Sequence, residues 1–379
     1  MKHPKAPRTA CRYSSPSRGQ RQWPGKAGFT AFPGWVTLCM HRMLLVTKWN
    51  AEMLYRKVCI YGAGAIGGWI GVRLAGAGCQ VSVVARGATL DALKRHGLRC
   101  QHGQVETTVT VQASADPTEL GVQDLVVIAV KAPALPEVAR RIGPLIGPDT
   151  VVLTAMNGVP WWFFQGFGGR LAGTQLQAVD ASGEITAAIP ATSVIGCVVH
   201  ASCSLKLPGW VEHHFGNKLI IGEPSGRQTE RVQQLAALLE QASFEVEVSE
   251  QIQKDIWYKL WGNMTVNPVS ALTGATTDLI LGDELVRNFI SSVMLEAKEV
   301  GARIGIPIAQ QPEDRHAVTL KLGAFKTSML QDVEANRAVE LDALVTVVKE
   351  LGALTGVATP FTDALLGLSR LHARVRDLY

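Results

Sequence analysis

The chain has 379 residues, 47% of them apolar and 18% charged, enough for two domains of ordinary size with a core each. Its net charge of +5 comes from residues 1–50, which hold nine Lys or Arg and no acid; the rest carries 28 basic and 32 acidic residues, a net of −4, and so gives no sign of a nucleic-acid partner. No apolar run approaches the ~18–20 residues of a membrane span, and seven scattered cysteines with no CxxC pair exclude a disulfide framework and a structural zinc site, so a soluble protein of the reducing cytoplasm with no metal is expected.

Residues 1–52 show no sustained period of 2 or 3.6 and are rich in Pro, Gly, Ser and Arg. They are expected to be a dispensable basic extension, with Met53 as the working start; a transit peptide and an unexplained tail are the alternatives.

Lys57-Val-Cys-Ile-Tyr-Gly62-Ala63-Gly64-Ala65-Ile66-Gly67 then reads as strand, glycine turn and helix, with Ile66, Ile70, Leu74 and Ala77 at helical spacing and a second strand from Gln80 to Ala85. In that context G-x-G-x-x-G is a dinucleotide fingerprint. Gly62 permits the tight turn, Gly64 admits a pyrophosphate against the backbone, and Gly67 lets helix and strand pack closely. Unpaired N–H groups at the helix start complement the phosphates. The second strand ends in Val83-Val84-Ala85-Arg86-Gly87, with no acid for ribose hydroxyls. A guanidinium there suits a 2′-phosphate, so NADPH is expected rather than NADH.

Two further apolar strands follow, Asp124 to Val130 and Thr150 to Met156, ending in Lys131 and Asn157. Ligands of open α/β sheets sit beyond the carboxyl ends of the strands, which makes both residues candidates for the cofactor site. The run Pro160-Trp161-Trp162-Phe163-Phe164 has two readings: a lid or acyl pocket at the cleft, or an aromatic cluster under a loop.

From about Arg227 the pattern changes to long amphipathic helices with few strand-like runs. The expected organisation is an α/β Rossmann-type dinucleotide-binding domain over 53–224, followed by an all-helical domain over 225–379, with the active site between them. In Trp257-Tyr258-Lys259-Leu-Trp261-Gly-Asn263-Met-Thr-Val-Asn267-Pro268, the residues Lys259, Asn263 and Asn267 share one helical face. A lysine set against Trp257, Tyr258 and Trp261 would have its pKa lowered toward acid–base work at neutral pH. In Lys326-Thr-Ser328-Met-Leu-Gln-Asp332, Ser328 is a candidate for a substrate carboxylate or hydroxyl, and Asp332 is expected to N-cap the next helix, with Glu340 in that helix's first turns. Cys197, Cys203 and His213-His214 lack the spacing of a metal site.

Over residues 53–379 these motifs, in this order, resemble the ketopantoate reductases (2-dehydropantoate 2-reductases). The specific ones are Lys259-x3-Asn263-x3-Asn267-Pro268 and Thr327-Ser-Met-Leu-Gln-Asp332 with Glu340. The resemblance implies NADPH-dependent reduction of ketopantoate to pantoate in pantothenate biosynthesis. Lys259 would be the general acid, with Asn263, Asn267, Ser328 and Glu340 on the substrate. The glycine turn from Gly62 to Gly67, Arg86, Lys131 and Asn157 would bind the cofactor. It also implies a small 2-oxoacid as substrate and a homodimer as the assembly to look for. Leu-Asp follows Glu340 where many members have Asn-Gly, and the stretch between Asn157 and His200 is long, so a paralogue acting on another 2-oxoacid is the second reading. A non-catalytic NADP(H) sensor is the third; it would not need Lys259, Asn263 and Glu340.

Overall fold

The computed structural model describes residues 55–379, so the expectations for residues 1–52 lie outside the described residues. Ten strands form one mixed sheet: β1 Lys57–Tyr61, β2 Gln80–Val84, β3 Leu98–His102, β4 Val105–Val109, β5 Gln112–Ser114, β6 Leu125–Ile128, β7 Val151–Thr154, β8 Val194–Leu207, β9 Trp210–Gly222 and β10 Glu245–Val248. Their order is β4-β3-β9-β8-β7-β6-β1-β2-β5, with β10 on β9. From β8 through β7, β6, β1 and β2 to β5 every neighbour is parallel. This run contains the four expected strands, each a short apolar stretch buried on both faces as a parallel sheet requires.

The helix Ala65–Gly76 follows β1, with Trp69, Ile70 and Leu74 fully buried. Gly62 stands at φ +97°, and a Cβ at Gly67 would lie 2.1 Å from the Gly62 carbonyl oxygen, so both glycines are required by the backbone path.

Two antiparallel hairpins escaped the pattern reading, β3–β4 and the long β8–β9 pair. The first half of β8 is fully buried and its second half largely exposed, so no single period runs through it. One short strand, β10, also lies within the stretch read as helical. It pairs parallel with β9, and the helix Glu230–Gln241 packs on both, so the sheet reaches Val248 and the helical layer begins at Ile252.

That layer is built on the helix Ile252–Thr273, against which pack the helices Glu284–Arg303, Ser328–Glu334 and Pro360–Arg374. One hydrophobic cluster runs from Ile128 and Val152 in the sheet through Trp162 and Phe163 to Trp261, Val293 and Leu351, so sheet and helices share a core. Among the described residues no helix is long and apolar enough to cross a membrane.

Candidate active site

The carboxyl ends of β1, β2, β6 and β7 place the first half of the site. A Cβ added at Gly64 would meet nothing within 4 Å, so the start of the helix Ala65–Gly76 faces open space where a pyrophosphate can approach its N–H groups. These residues fit a dinucleotide. Arg86 precedes the helix Gly87–His96, and its guanidinium donates to the Glu137 carboxylate at 2.5 Å. Both side chains are exposed, so a 2′-phosphate at Arg86 has to displace or share this partner. Sequence reasoning missed Glu137, which lies 51 residues from Arg86 in the helix Leu135–Arg141.

Lys131, just past β6, donates to Asp332 at 2.7 Å and to Glu340 at 3.2 Å. Burial works against its charge, but the Glu340 and Asp332 carboxylates outweigh it and hold Lys131 above the ordinary lysine value. Both acids are buried, at 3% exposure for Asp332 and 5% for Glu340. Asp332 is not the expected N-cap. The helix begins earlier, at Ser328, with Thr327 accepting from the Leu330 N–H, so Asp332 falls inside it and binds Lys131 and Arg337 instead. Nor does Glu340 lie in a helix's first turns. It precedes the next helical segment and accepts from the Ala132 N–H at 3.0 Å as well as from Lys131.

Asn157 follows β7. Next to it Gly158 stands at φ +84°, where a Cβ would come within 2.5 Å of the Ala343 carbonyl oxygen. The Val159 N–H donates to that same oxygen, which lies in a π-helical turn over Asp342–Thr346. Such turns are frequent at functional sites. Here it docks the Asn157 loop onto the helical layer.

The helix Ile252–Thr273 supplies the second half of the site. Lys259 and Asn263 line one cleft with Met156, Asn157, Val198 and Ile256. The Lys259 ammonium donates to the Val199 carbonyl at 2.7 Å. Burial pushes its pKa down to about 8; Cys197 and Glu340 pull the other way, and the Arg315 guanidinium adds to the drop. Trp257 and Trp261 do not shield it as expected. At about 100° per residue, positions two before and two after Lys259 lie on the opposite face. Trp261 donates to the Met294 carbonyl and Trp257 is buried beside Gly301, both toward the helix Glu284–Arg303. Ile256, Leu260 and Val198 of β8 share the cleft with it instead.

Asn267 lies one turn further on, only 7% exposed and outside the cleft lining. Ser328 opens the helix that packs on the lysine helix but lines neither this cleft nor its neighbour. Arg315, stacked over Tyr258 at 5.2 Å and seated against Gly262, is a cation the sequence reading missed.

The neighbouring cavity, about 170 Å³, shares Met156, Asn157, Gly158 and Ile256 with the lysine cleft. Trp161 and Trp162 form part of its wall, while Phe163 and Phe164 are fully buried behind them in an edge-to-face pair. The aromatic run is thus both core and pocket wall. His213 stacks on Trp69 and His102 in the sheet's other half, where it serves packing and holds no metal cluster among the described residues.

The arrangement combines a dinucleotide cradle with a cleft that holds a lysine of lowered pKa, which suits the addition of a hydride and a proton to a carbonyl. Comparison with known proteins agrees. Residues 58–226 match the family model for ketopantoate reductase PanE/ApbA, and residues 251–373 match its C-terminal counterpart. A 2-dehydropantoate 2-reductase of Mesorhizobium japonicum is 44% identical over 324 residues, 85% of this chain and 99% of that protein. A crystal structure of a putative ketopantoate reductase from Ralstonia solanacearum MolK2 superposes with a TM-score of 0.83 at 55% identity, over 86% of this chain and 100% of that one. A D-mandelate dehydrogenase solved with NADH and anilino(oxo)acetate shares the fold, with a TM-score of 0.73 at 21% identity, over 85% of this chain and 100% of that one. The chain belongs to the ketopantoate reductase family, an oxidoreductase family that uses a nicotinamide dinucleotide.

Proposed function

We propose that this member of the ketopantoate reductase family reduces 2-dehydropantoate to pantoate with NADPH, the step that feeds pantothenate synthesis. The observation that carries this reading is Lys259: an ammonium with its pKa lowered to about 8, in a cleft with Asn263 and with Asn157 from the end of β7. The dinucleotide, when bound, supplies a hydride to the substrate carbonyl carbon.

The chain's own residues do the rest. The glycine turn and the N–H groups of the following helix hold the pyrophosphate, and Arg86 turns from Glu137 to the 2′-phosphate. Lys259 gives its proton to the carbonyl oxygen as charge develops there, which removes the cost of a free alkoxide. Asn263 and Asn157 donate hydrogen bonds that fix the ketoacid beside it, while Asn267 lies outside the cleft lining. Ser328, outside the lining of both cavities, has no contact with the ketoacid in this reading. Glu340, held by Lys131 and the Ala132 N–H, offers its remaining acceptor capacity to the substrate hydroxyl. Lys131 thereby positions Glu340 at the edge of the cofactor site. In this reading the enzyme works in the cytoplasm as a homodimer, on a small 2-oxoacid.

Loss of NADPH absorbance on mixing the purified chain with ketopantoate tests the proposal. Turnover with NADPH and with a Lys259-dependent rate is expected; NADPH binding with no turnover on any 2-oxoacid would leave only the sensor reading.

A further inference from the structure

We propose that the cavity beside the Lys259 cleft is a side-chain pocket that admits 2-oxoacids carrying a bulky apolar group of up to phenyl size. This rests on the reading of the Lys259 cleft as the ketoacid site and names the substrate class that the same site takes.

The first support is position. The cavity shares Met156, Asn157, Gly158 and Ile256 with the cleft that holds Lys259 and Asn263, so a group attached to the carbonyl carbon passes directly from one to the other. None of the glycine-turn residues 62–67 lines it, which separates it from the phosphate end of the cofactor site.

The second is size and lining. At about 170 Å³ it exceeds the ~150 Å³ of an apolar protein cavity that takes benzene. Its walls come from Leu135, Val159, Trp161, Trp162, Val179 and Ile256. Apolar side chains make up the larger part of the wall, with Thr154, Asn157, Glu340 and Asp342 among the rest.

The third is the state of its polar groups. Asp342 accepts from the Tyr379 and Thr346 hydroxyls through one oxygen, and Glu340 from Lys131 and the Ala132 N–H, so each carboxylate at the edge is partly engaged by protein donors. Burial pushes the Cys197 thiol up to about 12, which leaves it neutral. Both carboxylates are therefore hydrogen-bonded to protein donors, and the Cys197 thiol adds no charge to the wall.

The reaction is the same as for the smaller acid. Carbon 2 gains the hydride, its oxygen gains the Lys259 proton, and NADPH leaves as NADP+, giving the 2-hydroxyacid. Each buried methylene-sized group is worth roughly fourfold in kcat/KM.

The test compares kcat/KM of the full chain with NADPH on pyruvate, ketopantoate and phenylglyoxylate. Phenylglyoxylate is expected to exceed pyruvate at least tenfold. Val179→Phe and, independently, Ala178→Leu fill the cavity from the short helix Gln177–Asp180. Each is expected to cut the phenylglyoxylate-to-pyruvate ratio tenfold or more with the NADPH Kd, read by fluorescence, unchanged. Should neither variant fold, the size series on the parent decides alone. Turnover of ketopantoate with no gain for phenylglyoxylate over pyruvate overturns the pocket and leaves the proposed function standing. Loss of NADPH binding in the folded filling variants assigns the cavity to the cofactor and also overturns it. No turnover on any acid overturns both.

Discussion

The Lys131 ammonium, just past β6, lies 2.7 Å from the carboxylate of Asp332, 201 residues further along the chain. With Glu340 at 3.2 Å from the same ammonium, the contact ties the end of the parallel sheet to two separate segments of the helical layer at the rim of the site.

Replacing Asp332 tests that tie. The carboxylate is buried and accepts from both Lys131 and Arg337. Asp332→Ala is expected to lower stability by about 2 kcal/mol, the range for losing hydrogen bonds to a charged group. It should also raise KM for the ketoacid, because Glu340 then faces Lys131 alone. Urea denaturation and steady-state kinetics on one preparation report the two effects.

Lys259→Ala should lower kcat by ~10²–10⁴-fold, the usual worth of general acid catalysis, with NADPH affinity nearly unchanged. Only the protonated ammonium donates, so parent kcat is full below about pH 8 and falls as pH rises through it. The variant should lose that alkaline limb. Stability runs the other way: between about pH 8 and the unfolded value of ~10.4 the unfolded chain binds the proton that the folded chain has released, so the parent gains stability as pH rises through that window. Stopped-flow hydride transfer across pH reads the catalytic effect. A Lys259→Ala rate within threefold of the parent would sink the assignment.

Arg86 and Glu137 make opposite predictions. Arg86→Ala should weaken NADPH by about 1.5–3 kcal/mol, the worth of a charge-assisted hydrogen bond, while NADH hardly changes. Glu137→Gln removes the partner that the phosphate must displace. Because that ion pair is exposed, its worth is at most about 1 kcal/mol, so NADPH should tighten by no more than ~5-fold. Fluorescence titration of both cofactors separates the cases; equal changes for NADPH and NADH would exclude a role in reading the 2′-phosphate.

Two neighbouring glycines should fail differently. Gly67→Ala drives a Cβ to 2.1 Å from the Gly62 carbonyl oxygen, backbone that cannot rotate away, and should cost about 1–3 kcal/mol or more of stability. Gly64→Ala meets no protein atom within 4 Å and should keep the Tm while losing dinucleotide affinity. Thermal melts with and without NADPH distinguish a packing defect from a blocked ligand.

Much of the local geometry was legible in the sequence, although the β3–β4 and β8–β9 hairpins and β10 were not. The strand–Gly62–Gly64–Gly67–helix unit, the four core parallel strands and the common helix of Lys259, Asn263 and Asn267 depend on period, spacing and turn chemistry, which neighbouring residues fix by themselves. The motifs also carried the family. What tertiary structure alone decided is which distant groups meet. Asp332 read as an N-cap because capping is a local rule, whereas its real partner is set by how the helix Ser328–Glu334 packs against the end of the sheet. Glu137 reached Arg86 through the order of β2, β1 and β6, and no spacing encodes that. The aromatic run at 161–164 could be counted but not oriented. Two of its rings became cavity wall and two became core only once β7, β8 and the lysine helix had closed around them, because burial follows from the shape of the surrounding layers and not from composition.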